Sequence, residues 1–315
     1  MEEIHKPEQP KVRVSAIVVS YNSAPALRRC LAALENSQER ESLEILVVDC
    51  GSRDDSPRVD VEFPGVQVLR MPRHFGFTRA RNIGIRTAVG EYLLLLNADV
   101  ELDAATIPAL ARHLDNDPGA AAVCPLLVDN AHNNVMQCFL LPTPRTIGQA
   151  WRDGTLRPAT DVELSAGAGP VAVEHASPAA LMVRTYFVKG INFLDQRFPH
   201  SWADVDLSFQ IWRASRKIML LPGLQAVVHG DALQPESLGN SERALVSADY
   251  ALGAAAFAGK YFGFFTGLRC RVTLILETLL AALGAMFRAR DVGLSFSRFT
   301  SVLMGQRIDG TQAGI

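Results

Sequence analysis

A chain of 315 residues that is 48% hydrophobic and 20% charged has ample apolar side chains for a large core, which excludes a disordered or collagen-like polypeptide. Its formal net charge of −2 leaves no electrostatic footprint for nucleic acid, so nucleic acid is excluded as a partner. Cys30, Cys50, Cys124, Cys138 and Cys270 are odd in number and scattered without a CxxC pair, which fits a reducing, cytoplasmic compartment and neither a disulfide framework nor a zinc site.

The N-terminus, MEEIHKPEQPK, is polar, carries Pro7 and Pro10 and lacks the apolar run of a signal peptide, so residues 1–11 are expected to form a short disordered arm. VSAIVVS (14–20) reads as a buried strand, followed by a loop at YNSAP. A helix follows over 26–34, where ALRRCLAAL sets apolar residues at helical spacing. LEILVVD (43–49) is a second buried strand ending on Asp49, GSRDDSP is a loop, and VQVLRM (66–71) is a third strand. FTRARNIGIRTAVG (77–90) is predicted as a helix closed by Gly90, EYLLLLN (91–97) as a fourth strand and DAATIPALARHLDND (103–117) as the next helix. This order predicts a mostly parallel α/β sheet with helices on both faces. Ligands of such sheets sit outside the carboxyl ends of the strands. Ser20, Asp49 and Asn97–Asp99 all fall at those ends, which points to one crevice.

Beyond residue 120 the pattern is less regular. AAAVCPLLV reads as a strand, and residues 150–170, rich in Gly, Pro and charge, as a mobile surface loop. PAALMVRTYFVKGI (178–191) reads as a strand and a short helix. VDLSFQIWRAS (205–215) is a helix with Leu207, Ile211 and Trp212 on one face, and KIMLLPGLQAVVHG (217–230) returns to strand character. Residues 12–241 are therefore read as one domain and 242–315 as a C-terminal helical region. There VTLILETLLAALGAMF (272–287) holds a single charge, Glu277, and is flanked by Arg269, Arg271, Arg288 and Arg290. The run is shorter than the ~20 residues that span a bilayer. Its apolar stripe (Leu276, Leu279, Leu280, Leu283, Phe287) is expected to pack on the domain, to form the interface of a homodimer, or to lie in a membrane surface with the arginines as anchors.

Several residues carry chemistry. Asp99 closes a strand that is apolar on both faces, and such a carboxylate either caps the next helix or holds a divalent cation against a diphosphate. Hard cations want oxygen ligands, and Mg²⁺ is typically held by one or two carboxylates plus phosphates. Asn97 offers a neutral oxygen or a partner for a ribose hydroxyl. Asp49, in VVDCGSRDDS, serves turn chemistry or accepts the N–H of a nucleobase. Arg81 and Asn82 lie on a helix before the fourth strand, on a solvated face or with Arg81 on a phosphate.

VVSYNSAPALRRCLAAL, EILVVDCGSRDDS, GFTRARNIGIRTAVGEYLLLLNADVEL and HSWADVDLSFQIW with a later VVHG together resemble the family 2 glycosyltransferases, over roughly residues 12–230. These are inverting enzymes of the GT-A fold that use nucleotide sugars. Within the family the chain looks most like rhamnosyltransferase-type members, which also carry an apolar C-terminal tail. The resemblance implies a GT-A-type sheet sandwiched by helices. It implies that Ser20, Tyr21 and Asn22 line the base and ribose pocket, that Asp49 contacts a pyrimidine, and that Arg81 and Asn82 lie near the diphosphate. Asp99 would ligate Mn²⁺ or Mg²⁺, His229 would complete the metal site, and Asp204 would be the base. The implied partners are a UDP-, TDP- or GDP-linked sugar and a glycan or lipid-linked glycan acceptor. The implied place is the cytoplasm, at the cytoplasmic face of the membrane where the tail binds lipid.

The chain departs from the family pattern at three points. Ala203 stands where Glu is common, His74 where Asn is usual, and Pro178 interrupts a Ser-Gly-Ala segment. Asp206 is a second base candidate, expected instead to cap its helix or make a charge contact. Ala203 also keeps open a non-catalytic, nucleotide-sugar-binding scaffold of a polysaccharide assembly system. A nucleotidyltransferase or a dinucleotide oxidoreductase would want a Gly-rich loop after the first strand, where this chain has SYNSAPA.

Overall fold

The apolar segments β1 (Val14–Ser20), β2 (Leu43–Asp49), β3 (Val66–Arg70) and β4 (Tyr92–Asn97) pair in parallel in the order β3-β2-β1-β4. The computed structural model describes residues 12–160, 168–230, 240–288 and 292–305. The expected arm at 1–11 lies outside the described residues, as do 161–167 of the expected loop and Arg290. β1, β2 and β4 are mainly apolar on both faces because both faces are covered. Ala16, Val18, Ile45, Val47, Leu94 and Leu96 point to one core, which they share with α1 (Ala24–Glu35) and α4 (Thr106–Asn116). The alternate residues Ile17, Leu46, Val48, Leu93 and Leu95 point to the other, under α3 (Phe77–Thr87), α6 (Thr185–Gly190) and α7 (Ala203–Arg213). The short α2 (Val59–Glu62) precedes β3.

The rest of the sheet mixes directions. β10 (Ala180–Arg184) runs antiparallel between β4 and β6 (Ala120–Val128). β11 (Lys217–Val228) is parallel to β6 and carries β5 (Val100–Leu102) and β8 (Val171–Val173) antiparallel. β7 (Cys138–Phe139) and β9 (His175–Ala176) form a separate two-stranded ribbon. After α5 (Ile147–Asp153) in the middle of the chain, three helices close it: α8 (Asn240–Tyr261), α9 (Phe264–Arg288) and α10 (Val292–Met304).

Four expectations change. The helix expected over 77–90 stops at Thr87, because the chain at Gly90 passes so close to β1 that a Cβ there would sit 2.7 Å from the Ser15 nitrogen. The expected loop begins as α5, whose Ile147, Ala150 and Trp151 are buried at helical spacing. Leu207 and Ile211 of α7 are buried, but Trp212 is 59% exposed, one residue past the buried stripe. The apolar run 272–287 is part of the 25-residue helix α9. Among the described residues, its segment Phe264–Phe287 is long and apolar enough to cross a membrane by length and composition.

The 241/242 boundary falls inside α8, and α8 packs into a third core. There Ala248, Ala251, Ala255 and Phe257 meet Trp151, Phe198, Trp202 and Val205. Its end is pinned by charge: Lys260 Nζ donates to Asp195 Oδ2 at 2.8 Å and to Asp206 Oδ1 at 2.5 Å, and the Tyr261 hydroxyl donates to Asp206 Oδ1 at 2.7 Å. α9 is held on α5, where Glu277 accepts from Trp151 Nε1 at 2.9 Å and from the Arg152 guanidinium. Cys270, Leu274, Thr278 and Ala282 form its buried face. Opposite them Phe265, Leu268, Val272, Leu276, Leu280 and Leu283 are exposed, ending at Phe287, which is 93% exposed.

Candidate active site at the strand ends

Parallel pairing aligns strand ends, so residues far apart in sequence meet at one edge. Ser20 is in register with Asp49, and Val19 with Asn97. The loops beyond β1 and β2 are knitted into one wall. The Asn22 N–H donates to Ser52 Oγ at 2.9 Å, Asn22 Oδ1 accepts the Arg53 N–H at 2.8 Å, and the Ala24 N–H donates to Asp54 Oδ2 at 2.9 Å.

Asp49 is 1% exposed. Its Oδ2 accepts the Gly51 and Ser52 N–H groups, each at 3.0 Å, while its buried Oδ1 has no hydrogen-bond partner among the described residues. A buried carboxylate oxygen without a donor is costly, and a ligand N–H at that position would relieve the cost. Tyr21 sits beside it, its ring edge-on to His74 with centroids 5.0 Å apart. His74 stacks on His200 at 5.2 Å and accepts the Gly76 N–H through Nδ1 at 3.1 Å. Burial, with the neighbouring His200 second, pushes the His74 imidazole down to about 4, so it is neutral at neutral pH. The Ser20 side chain is buried and its hydroxyl lies 2.9 Å from Ser23 Oγ, so it braces the turn.

Arg81 and Asn82 are neighbours on α3 and point in different directions. Arg81 Nη2 donates to Asn97 Oδ1 at 3.2 Å. Burial lowers the pKa of its guanidinium, and the charge of Asp204 opposes the shift. Asn82 is fully buried and spends its amide on Leu194, donating to its carbonyl at 2.7 Å and accepting its N–H at 3.0 Å. The diphosphate expectation for Asn82 is therefore corrected: it holds the loop that leads to α7. The Thr78 N–H adds a bond to the Pro199 carbonyl at 3.0 Å on the same loop.

Asp99 is buried just beyond β4. Its carbonyl accepts the His229 N–H at 3.0 Å, continuing the β5–β11 ladder in which Val228 faces Val100. Directly opposed residues of an antiparallel ladder share a face, so Asp99, Glu101 and His229 project to one side. His229 Nε2 lies 2.9 Å from Glu101 Oε2. Among the described residues, no three His, Cys, Asp or Glu side chains surround one metal position. The donor chemistry of a strand-end carboxylate beside an imidazole fits Mn²⁺ or Mg²⁺ whose remaining ligands are phosphate oxygens and water.

Asp204 lies in the first turn of α7, with Oδ2 3.7 Å from His175 Nε2. Asp206, the second base candidate, is 1% exposed and committed to Lys260, Tyr261 and, at 3.0 Å, Gln210 Nε2. Asp206 is an anchor for α8. Sequence reasoning missed Glu101, His175 and Lys260. Glu101 carried a signal, because it alternates with Asp99 along a strand; the other two reach the site only through tertiary packing.

Residues 15–159 match the profile of Glycosyl transferase family 2. The chain is 26% identical over 235 residues to Pre-mycofactocin glycosyltransferase of Mycobacterium tuberculosis (strain ATCC 25618 / H37Rv), covering 72% of this chain and 45% of that protein. It therefore spans just under half the length of that relative. It is 25% identical over 232 residues to the N-acetylglucosaminyl-diphospho-decaprenol L-rhamnosyltransferase of the same strain, covering 68% of this chain and 75% of that one. Among solved structures, the mannosyltransferase PcManGT from Pyrobaculum calidifontis in complex with GDP-Man and Mn²⁺ aligns with a TM-score of 0.56 at 16% identity, over 94% of this chain and 88% of that chain. The likeness establishes a GT-A-like fold.

Proposed function

We propose, from the match of residues 15–159 to the profile of Glycosyl transferase family 2, that the crevice moves a sugar from a nucleotide-diphosphate donor to a hydroxyl of a glycan or lipid-linked glycan, with inversion. The observation that carries this reading is the meeting of Asp49, Asn97 and Asp99 at neighbouring strand ends, with Arg81 bonded to Asn97. In this account Asp49 Oδ1 accepts an N–H of the base, and Tyr21 and Asn22 flank it. Arg81 sets a fixed positive charge where the diphosphate departs. Asp99, with His229, would hold Mn²⁺ or Mg²⁺. When bound, the cation stabilises the negative charge of the leaving diphosphate. Asp204 removes the proton of the acceptor hydroxyl, as a general base on the face opposite the leaving group. A single displacement needs no second catalytic carboxylate. Ala203, buried where the family commonly has Glu, favours a second reading, a binding scaffold without turnover.

The acceptor is proposed to reach the crevice from a membrane. An exposed apolar face as long as that of α9 marks an interaction site. The exposed Arg269 and Arg271 beside it suit anionic lipid, each worth ~1 kcal/mol near such a surface. Flotation with phosphatidylglycerol–phosphatidylcholine vesicles should carry the protein, and salt or Arg269→Glu with Arg271→Glu should weaken it. A concentration-dependent dimer that ignores vesicles would assign the face to a second copy instead.

Calorimetry with UDP, TDP and GDP, with and without Mn²⁺, tests the nucleotide and metal assignments. One nucleotide should bind more tightly with Mn²⁺, and Asp99→Ala should remove that difference. Binding that is indifferent to Mn²⁺ in the wild type contradicts the metal assignment, and binding without turnover of any nucleotide sugar favours the scaffold.

A further inference from the structure

His175 lies against the proposed base. It is 3% exposed and sits on the two-residue strand β9. Its ring spans two residues of α7, with Nδ1 2.9 Å from Ser208 Oγ and Nε2 3.7 Å from Asp204 Oδ2. Residues 204 and 208 are one helical turn apart and share a face, so one imidazole can address both. When the Ser208 hydroxyl donates to Nδ1, the neutral ring carries its proton on Nε2 and turns it toward the Asp204 carboxylate. The 3.7 Å separation exceeds a formed hydrogen bond. Such catalytic contacts are often long without substrate and tighten when it binds.

The surroundings leave the imidazole few other partners. β7 contributes the Phe139 ring, 5.8 Å away. The adjacent Glu174 instead accepts the Leu141 N–H at 2.7 Å. Asp204 is the charge that acts on His175, while Arg81 from α3 and Tyr250 from α8 bear on Asp204. Burial lowers the His175 pKa, and Asp204 opposes the shift without a bond to the ring. The ring is therefore neutral at neutral pH and can act as a donor without adding charge.

We infer that His175 is a positioning residue for the proposed base: its Nε2–H fixes Asp204 Oδ2 and leaves Asp204 Oδ1 to the acceptor hydroxyl. The inference rests on the reading of Asp204 as base. The proton of the acceptor ends on Asp204 Oδ1, and His175 keeps its own.

The test measures diphosphate release from a panel of UDP-, TDP- and GDP-sugars by His175→Phe, His175→Gln and Asp204→Asn, beside calorimetric affinity for the free nucleotide. His175→Phe should lower kcat about 10-fold, the scale of a lost orienting partner, with KM and nucleotide affinity unchanged. His175→Gln, which retains an N–H donor, should restore most of kcat. Wild-type kcat in His175→Phe, while Asp204→Asn is inactive, overturns this inference alone. Turnover by Asp204→Asn overturns the base reading and the inference with it. Long-range ¹H–¹⁵N spectra of the imidazoles decide the matter for a variant that fails to fold or a panel that is not turned over. They should show His175 as the Nε2–H tautomer, with its signals displaced in Asp204→Asn. An Nδ1–H tautomer indifferent to Asp204→Asn overturns the inference.

Discussion

α8 and α9 are adjacent helices of 22 and 25 residues, both mainly apolar, and they meet opposite fates. α8 is built on small residues: Ala244, Ala248, Ala251, Ala254, Ala255 and Ala258 are buried, and Phe257 with them. Small side chains let the backbone approach Trp202, whose ring would lie 2.5 Å from a Cβ placed at Gly253. That contact holds Trp202, which has a φ of 76° two residues before Asp204. A bulky residue persists there only when its surroundings fix it. α9 carries Leu, Val and Phe around most of its circumference, and one face finds no cover among the described residues. Apolar content alone does not decide what becomes core; side-chain size and distribution do.

The largest effect should come from Lys260. Its removal leaves Asp206 buried without its cation, and breaking a buried pair costs about 3–5 kcal/mol. Lys260→Met should lower the urea midpoint accordingly, and Lys260→Met with Asp206→Asn should recover part of it. A loss under ~1 kcal/mol would mean that α8 is not held by this pair. Overpacking comes next: Ala251→Leu or Ala255→Leu in α8 should cost about 1–3 kcal/mol in the same measurement. A neutral result at both would place α8 among loosely packed helices with α9.

Acid should separate the helices further. Burial raises the Asp195 pKa, but hydrogen bonds from Arg197 and Lys260 outweigh it, and the carboxyl ends well below the usual range. A folded pKa below the unfolded one gives stability that is present above about pH 4 and is lost as the pH falls through the lower values. Thermal midpoints should therefore fall below about pH 4, and less steeply in Lys260→Met. The smallest stability change belongs to α9. Leu276→Gln and Leu280→Gln alter an exposed face, so stability should move within about 0.5 kcal/mol, while vesicle flotation is lost. A large loss of stability would show that the face is covered after all.

The meeting of the strand ends was legible in the sequence because parallel pairing does most of the assembly. β1, β2 and β6 begin and end where their apolar runs do, and alignment of strand ends brings Ser20, Asp49 and Asn97 together. What escaped depends on contacts that periodicity does not encode. Asn82 and Arg81 are adjacent in sequence, yet one serves a loop and the other the crevice. His175 belongs to a strand too short to leave a pattern. The core role of α5 depends on Glu277, more than a hundred residues away.

Turnover by Asp204→Asn and Asp206→Asn, measured on the same nucleotide sugars below both unfolding transitions, tests the central claim most directly. Asp204→Asn should bind the nucleotide as the wild type does and lose transfer by at least ~10², the scale of general-base catalysis. Asp206→Asn should be less stable but active per folded molecule, because its carboxylate anchors α8. Wild-type turnover by Asp204→Asn, with loss confined to a stable Asp206→Asn, would contradict the assignment of the base.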